Sequence, residues 1–392
     1  MKKIRIHVVN RYFYPVTAGI ETNLMEVYGR FVERGHEVIV HVSRNTLEKK
    51  NILKKKEDIN GMKVIRYKYK WFGFIPKMKL NNGDILSLHN FNISPNVLVL
   101  LWVLVLKVIG KKKFMLILSP QSGFNPDWGS MPKSQSIIKS FLHRTLGKML
   151  INFTADGVRA ISKWEKDEMI KSGIKKKLIT LIGNGTQEEA FTSNGRFISV
   201  EFKNKIKSIK PYIIQIGRIH PIKNYETSIR VLKKMDENFK LIIIGFVENE
   251  EYFKNLKGLI SKLGLKKKVV FLSGLSDPEK YYALASAEAM VHMSRHEGYC
   301  IAVHEGMSQG LVCVVSNTTA LPGLIADNLN GYCLDPDDVE GVYKKLDFII
   351  NNKKSSTIKA IQKRNIQFAK NHSWQNVAEK VERFYLEILT RK

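Results

Sequence analysis

Cysteine is scarce. Cys300, Cys313 and Cys333 are the only three among 392 residues, and none sits in a CxxC pair. An odd number without paired spacing argues against a disulfide framework and a structural zinc site, and points to a reducing compartment. Long hydrophobic runs are also missing. The longest, Val97–Ile109, has thirteen residues broken only by Lys107. That is short of the ~20 residues a membrane span needs. Two readings of it stand side by side, a buried helix and a helix dipping into one leaflet. The N-terminus enters a strand-like segment at Ile4 and lacks the pattern of a cleavable signal peptide. The sequence contains no GxGxxG, no GxxxxGK[ST], no HExxH and no GxSxG. Those absences argue against a nicotinamide enzyme, a P-loop ATPase, a zinc protease and a serine hydrolase.

Acidic residues are few as well. There are 36 Asp and Glu against 64 Lys and Arg, a net charge of +28. The excess is uneven, with +18 carried by residues 1–190 and +10 by the remainder. Such a surface attracts polyanions, whether nucleic acid, anionic headgroups or phosphorylated substrates. Between Met62 and Leu80 the basic residues Lys63, Arg66, Lys68, Lys70, Lys77 and Lys79 interleave with Tyr67, Tyr69, Trp71, Phe72 and Phe74. This pattern suits either an edge strand with solvated lysines or a segment lying on a headgroup layer.

What is present is a regular alternation. Ile4–Val9, Val38–Ser43, Met62–Tyr67, Ile85–His89, Phe114–Leu118, Val158–Ile161 and Leu178–Ile182 read as strands in the first half. Tyr212–Ile216, Phe239–Ile244, Val269–Leu272, Ala289–Met293 and Cys313–Ser316 do so in the second. Amphipathic helices separate them, among them Ile20–Glu33, Thr227–Met235 and Glu251–Leu263. Two such series imply two doubly wound α/β domains with parallel sheets. The join is expected between Phe191 and Pro211, where the apolar pattern weakens. A last helix, Trp374–Leu389, carries Val377, Val381, Phe384 and Ile388 at helical spacing.

In open parallel sheets, ligands bind beyond the carboxyl ends of strands. Candidate chemistry should therefore lie in the loops that follow them. After Tyr212–Ile216 come Gly217, Arg218 and Lys223, a backbone that a ligand can approach and two cations suited to a diphosphate. Two surface cations in a lysine-rich chain are the plain alternative. After Ala289–Met293 come Glu297, Gly298, Tyr299, Cys300 and Ile301, then Glu305 eight residues after Glu297. A helix starting near Tyr299 or Cys300 would aim free N–H groups at a phosphate, with a carboxylate at either side for hydroxyls. A capped helix with two incidental glutamates is the alternative. Gly19 in the first strand-to-helix loop, His89 and the Pro120–Gly123 turn with Gln121 would face the same cleft. His36 reads as structural.

In this combination the chain resembles the retaining glycosyltransferases of the GT-B fold, family 4 (glycosyl transferases group 1). The likeness runs from Tyr14-Pro15 to Glu21 and Arg34 to Val38, through Ala160-Ile161-Ser162 and Asn184-Gly185. It continues in Gly217-Arg218 with Lys223-Asn224, and in Glu297-Gly298-Tyr299 with Glu305-Gly306-Met307 and Gly310. The resemblance implies two Rossmann-like domains with a cleft between them. These would be residues 1–195, joined by the C-terminal helix 374–392, and a nucleotide-sugar domain of residues 205–372. It implies a retaining hexosyltransferase that uses a nucleoside diphosphate sugar as co-substrate, with no other cofactor and no metal. Arg218 and Lys223 would bind the diphosphate, Glu305 the ribose, and Glu297 the transferred sugar. Backbone amides from Gly298 to Ile301 would contact sugar and phosphate, and Gly19 would approach the donor from the first domain. The acceptor would be a glycan or polyprenyl-linked glycan, handled at the cytoplasmic face of an anionic membrane, with no nucleic acid involved. The chain departs from the family at Gln121, where many members have a histidine; Gln can hydrogen-bond but cannot carry a proton. It also has Gly306 for a common Ala and Ala18 for a common Gly. A nucleotide-sugar epimerase on the same architecture and a basic membrane- or polyanion-binding protein remain as other readings.

Overall fold

The computed structural model describes residues 3–16, 18–46, 52–70, 73–91, 94–122, 124, 137, 141, 143–192 and 198–391. Thr17, Trp71, Phe72, Gly123 and part of the expected join lie outside the described residues. The chain divides into two units, Met1–Asn184 with Trp374–Lys392, and Gly185–Ser373.

The first unit runs β1 (Arg5–Val9), α1 (Gly19–Glu33), β2 (Glu37–Ser43), β3 (Lys56–Ile59), β4 (Met62–Tyr67), β5 (Ile85–His89) and α2 (Ser94–Val108). It continues with β6 (Met115–Ser119), α3 (Lys148–Thr154), β7 (Gly157–Ala160), α4 (Lys163–Lys171) and β8 (Ile179–Leu181). Its sheet has the order β3-β4-β2-β1-β5-β6-β7-β8, parallel except for the β3–β4 pair. Strand alternation sends Leu86, Leu88, Leu116, Leu118, Val158 and Ala160 to one face, where Val99, Leu100 and Val103 of α2 and Ile151 of α3 cover them. Ser87, His89 and Arg159 point to the other face, toward α1. β3, with the sequence Lys-Glu-Asp-Ile, was not expected, because a polar edge strand has no apolar run to betray it.

The basic and aromatic stretch is resolved by packing. Tyr67 stacks on Phe74 at 5.1 Å, and Arg11 lies 4.6 Å over the Tyr69 ring. Its described aromatics therefore pack within the unit rather than forming an exposed row. The run Val97–Ile109 is a helix with one face in the core. Its opposite face, including Leu101, Trp102 and Val105, is exposed.

The second unit contains α5 (Glu189–Thr192), α6 (Val200–Ile209), β9 (Tyr212–Ile216), α7 (Tyr225–Lys234), β10 (Lys240–Ile244), α8 (Glu250–Lys262), β11 (Val269–Leu272) and α9 (Asp277–Ala285). Then come β12 (Ala289–His292), α10 (Ile301–Ser308), β13 (Cys313–Ser316), α11 (Leu321–Leu324), β14 (Gly331–Leu334), α12 (Val339–Asn351) and α13 (Ser356–Asn371). All six strands are parallel, in the order β11-β10-β9-β12-β13-β14. β9 is wholly buried. The unit begins at Gly185, earlier than the expected join. Ala190, Ile198 and Phe202 already belong to its core, packed with residues of α9 and α10.

From Trp374 the chain returns to the first unit as α14 (Trp374–Thr390). Glu382 of α14 binds Arg34 at 2.5 Å and His36 at 2.7 Å, and Tyr385 meets Tyr28 at 2.7 Å. Gly157 makes the close approach possible, since a Cβ there would overlap Ile388 and stand 2.9 Å from Phe384.

One buried carboxyl supports a strained turn. Gln121 and Ser122 both have positive φ, 55° and 64°. Glu165 accepts hydrogen bonds from the Ser122 and Ile161 amides, at 2.5 and 2.8 Å. Burial raises its pKa from 4.5 to about 7, against the lowering effect of those amides and Arg159. The folded state therefore binds this proton more tightly than the unfolded state does. The stability from protonated Glu165 is full below 4.5 and is lost as pH rises through about 7. Glu165→Gln cannot titrate. The melting temperature of the unsubstituted chain relative to this variant should be highest near about pH 5 and should shrink by about pH 8. A difference that does not change over that interval would contradict the assignment.

Candidate functional site

The second unit brings most of the expected residues to the carboxyl ends of β9 and β12. Gly217 follows β9, and its amide bonds Ile244 at 2.9 Å. The backbones crowd here, because a Cβ on Gly245 would collide with the Gly217 carbonyl. Tyr225 at the start of α7 donates its hydroxyl to that same carbonyl at 2.5 Å. A short 3₁₀ turn, Pro221–Lys223, follows, and ends at Asn224 in a left-handed conformation.

Two struts hold this turn. Gln215, wholly buried in β9, donates to the Lys223 carbonyl at 2.9 Å, and Ser228 secures the other end of its amide at 2.6 Å. The hydroxyl of Ser294 and the amide of Arg295 both donate to the Ile222 carbonyl, at 2.9 and 2.8 Å. The loop after β9 is thereby tied to the loop after β12.

Lys223 and Glu297 meet across the tied loops. The ammonium lies 2.5 Å from Glu297 Oε1, with both side chains largely shielded from water. A Cβ on Gly217 would stand 3.2 Å from Lys223 Cε, so glycine leaves room for the lysine stem. His292, at the end of β12, places Nε2 2.8 Å from the same Glu297 oxygen. The Glu297 amide donates to Thr319 Oγ1 at 2.8 Å. Burial opposes charge on Glu297, but the Lys223 ammonium and the His292 hydrogen bond outweigh it and hold the carboxyl well below its usual range. Burial lowers the pKa of His292, with Glu297 offsetting part of the effect. Glu297 is thus a carboxylate at neutral pH.

Arg218 is close in sequence but held differently. Its guanidinium is 44% exposed and pairs with Glu248 at 2.6 Å. An exposed pair of this kind is worth roughly 0–1 kcal/mol, so it can exchange partners readily. Glu305 on α10 is bound to Lys280 at 2.7 Å, and Lys280 is also bound to Asp277 at 2.6 Å. Burial alone would lower the Lys280 pKa, but the two carboxylates reverse that and raise it. α10 begins at Ile301, one or two residues later than expected, because Cys300 adopts φ 77° outside the helix. Its first-turn N–H groups have no carbonyl of the same helix to bond. Gly298 and Tyr299 lie in the turn between Glu297 and that helix, and the Tyr299 hydroxyl is 3.3 Å from His304 Nδ1. Gly306 also has a packing reason, since a Cβ there would stand 2.5 Å from Met290 Sδ.

His292, Glu297 and Cys300 are a metal-like grouping, with ligand atoms within 4.8 Å of one another. The donor set is a poor one for a metal. The Lys223 ammonium already sits on the shared Glu297 oxygen. Burial raises the Cys300 thiol far above its usual pKa, which keeps it protonated.

In the first unit, Gly19 is the exposed first residue of α1, and Ala18 supplies no side-chain cap. Glu21, two residues on, is buried, accepts from Asn10 at 3.2 Å, and is raised to about 7 by burial. His89 does not stand at a surface as expected. It is 1% exposed, 2.8 Å from the Tyr28 hydroxyl and 3.2 Å from Ser87 Oγ. Burial lowers it to about 3, so it is a neutral core group. Gln121 also turns inward, its amide nitrogen 3.3 Å from both Asn23 Oδ1 and Ser119 Oγ. Its side-chain amide is taken up by the fold of this unit rather than presented outward.

Several contributors escaped the sequence reading. His292 was counted as one residue of an apolar strand. Lys280, Glu248 and Thr319 lie on separate loops and helices, and no local spacing links them to Glu305, Arg218 and Glu297. Gln215 and His292 are lone polar residues inside hydrophobic strands, and that is a signal the sequence does carry.

Residues 198–371 match the family described as Glycosyl transferases group 1. An uncharacterized glycosyltransferase of Methanocaldococcus jannaschii is 25% identical over 98% of this chain and 99% of its own length. The GDP-mannose:cellobiosyl-diphosphopolyprenol alpha-mannosyltransferase of Komagataeibacter xylinus is 26% identical over 42% of this chain, which spans 41% of that relative. The crystal structure of Anabaena HepE in complex with UDP-glucose superposes with a TM-score of 0.75 at 14% identity, covering 98% of this chain and all of that one. These likenesses support a glycosyltransferase. The chain shares the two-domain α/β fold, with parallel sheets, of GT-B glycosyltransferase structures.

Proposed function

We propose that the protein is a retaining hexosyltransferase that moves a sugar from a nucleoside diphosphate to a hydroxyl of a glycan or lipid-linked glycan. The observation that carries this reading is the Lys223–Glu297–His292 arrangement at the ends of β9 and β12. A shielded lysine ammonium, with an exchangeable arginine on the same loop after β9, suits a leaving diphosphate. In the donor-free state Glu297 neutralises Lys223. An arriving diphosphate shares the ammonium and draws Arg218 from Glu248, an exchange that costs little at an exposed pair. Glu297, still fixed by His292 and the Thr319 hydroxyl, then accepts hydrogen bonds from hydroxyls of the transferred sugar. Glu305 accepts from the ribose while retaining Lys280.

The bond from the anomeric carbon to the diphosphate oxygen breaks, and a bond to the acceptor oxygen forms on the same face. The acceptor proton passes to the departing phosphate, because Glu297 is held too acidic to take it. Positive side chains carry the diphosphate charge without a divalent ion. The relatives support two donor classes, a GDP-mannose in one name and a UDP-glucose in one complex. The diphosphopolyprenol in the first name supports a lipid-linked acceptor.

Lys223→Ala should lower both transfer and acceptor-free donor hydrolysis by about a hundredfold or more. Arg218→Ala should lower both as well. Near-normal turnover in either variant would remove this mechanism. Nuclear magnetic resonance of the product should show the donor's anomeric configuration; inversion would refute retention. A chelator should leave the rate unchanged, and loss of activity restored by a divalent ion would overturn the metal-free account. A donor recovered with a changed sugar stereocentre would favour an epimerase.

A further inference from the structure

One arginine of the first unit has no partner for its charge. Arg11 stands just beyond β1, at the carboxyl edge of the sheet. Its guanidinium carbon lies 4.9 Å over the Tyr12 ring and 4.6 Å over the Tyr69 ring. Apart from those rings the guanidinium has no hydrogen bond and no ion pair among the described residues, and its Nε is buried without an acceptor. Nearby arginines are satisfied otherwise. Arg5 pairs with Asp84 and Arg66 with Glu57, each at 2.6 Å. Arg44 gives its Nε to the Leu53 carbonyl at 2.7 Å. The carboxyl of Glu21 is taken up by Asn10 at 3.2 Å. Buried N–H groups are nearly always bonded, so the open position at Arg11 is one where an acceptor belongs.

Its place in the sheet suits a ligand, because ligands bind beyond the carboxyl ends of parallel strands. The ends of β1, β2 and β4 are tied together here. The Ser43 amide donates to the Arg11 carbonyl at 2.9 Å, and the Arg44 amide to the Tyr67 carbonyl at 2.8 Å. Lys68 and Lys70, exposed just past β4, add positive charge that no carboxylate pairs with among the described residues. A guanidinium held against aromatic rings keeps its planar fork ready for an oxyanion. Tyr14, 50% exposed on the same loop, offers an apolar face and a hydroxyl, and so does the half-buried Tyr12. We propose that Arg11 anchors the oxyanion, a carboxylate or a phosphate, of an acidic saccharide, with Tyr12 and Tyr14 beside the sugar ring. The anion site stands on the geometry of this unit alone. That the saccharide is the acceptor rests on the proposed sugar transfer.

The test is isothermal titration of the full chain, without donor, against glucose, glucuronate, glucose phosphorylated at the same exocyclic carbon, and inorganic phosphate. The three sugars share one ring and differ only in that group. At least one acidic sugar should bind, more weakly as salt rises, and glucose should not. Whichever acidic sugar binds names the oxyanion. Arg11→Gln should weaken that binding at least about tenfold. Arg11→Lys keeps the charge and the stem but not the fork, so it should fold like the unsubstituted chain and bind several-fold more weakly. Binding of neither acidic sugar would overturn the proposal, as would equal binding of glucose or undiminished binding by both variants. Inorganic phosphate bound as tightly as the sugar phosphate, with glucuronate unbound, would refute the saccharide. A chain that binds an acidic sugar through Arg11 but transfers no sugar would count against the proposed function and leave this site standing.

Discussion

A carboxylate shielded from water must be paired, and Glu297 is paired twice, by Lys223 and by His292 on one oxygen. Removing a single partner from such a group costs several kcal/mol, while the intact pair adds little net stability. Its position in the fold is therefore better explained by what it holds ready than by what it stabilises. Much of the surrounding structure serves this contact. Gln215 fixes the Lys223 carbonyl, Ser294 and Arg295 bind the two loops together, and Thr319 fixes the Glu297 backbone. The central position of β9 and its neighbour β12 in a wholly parallel sheet brings these loops to one edge.

Two further charged groups of the same unit differ in kind. Arg218 and Glu248 are solvated and loosely committed, whereas Glu305, Lys280 and Asp277 form a shielded cluster. A diphosphate can recruit the first cheaply. In the proposed donor site, a ribose at Glu305 would be accommodated beside an ammonium that remains. The site thus combines a mobile cation, a fixed cation and two fixed carboxylates within one domain. The first unit contributes scaffold of another sort. Its Arg159 is fully buried and satisfied by the Ile182 and Gly183 carbonyls and by Asn23 and Asn184. Such a group belongs to the core, and so does His89.

The fold was largely legible because parallel strands buried on both faces read as short apolar runs, and Tyr212–Ile216 and Val269–Leu272 stand where the hydrophobicity placed them. Lys56–Ile59 and Gly331–Leu334 did not announce themselves, being polar or short at the sheet edges. At the site, Gly217, Lys223 and Glu297 could be named from their places after strands. Their mutual contact could not, since 74 residues separate the lysine from the carboxylate. His89 misled because a histidine at a strand's end looks available, and only the packing of Tyr28 and Ser87 shows otherwise. The apolar run Val97–Ile109 allowed a buried or a surface reading, and the helix has a face of each kind.

The central claim is that the Lys223 ammonium is the diphosphate anchor of a donor site. The most direct test is thermal stabilisation of the full chain and of Lys223→Ala across a panel of nucleotide sugars, each titrated. A bound donor raises stability in step with its affinity and concentration. At least one donor should raise the melting temperature of the unsubstituted chain in a concentration-dependent way, and the effect should vanish in the variant. A flat response to every donor, or an equal response in Lys223→Ala, would contradict the account.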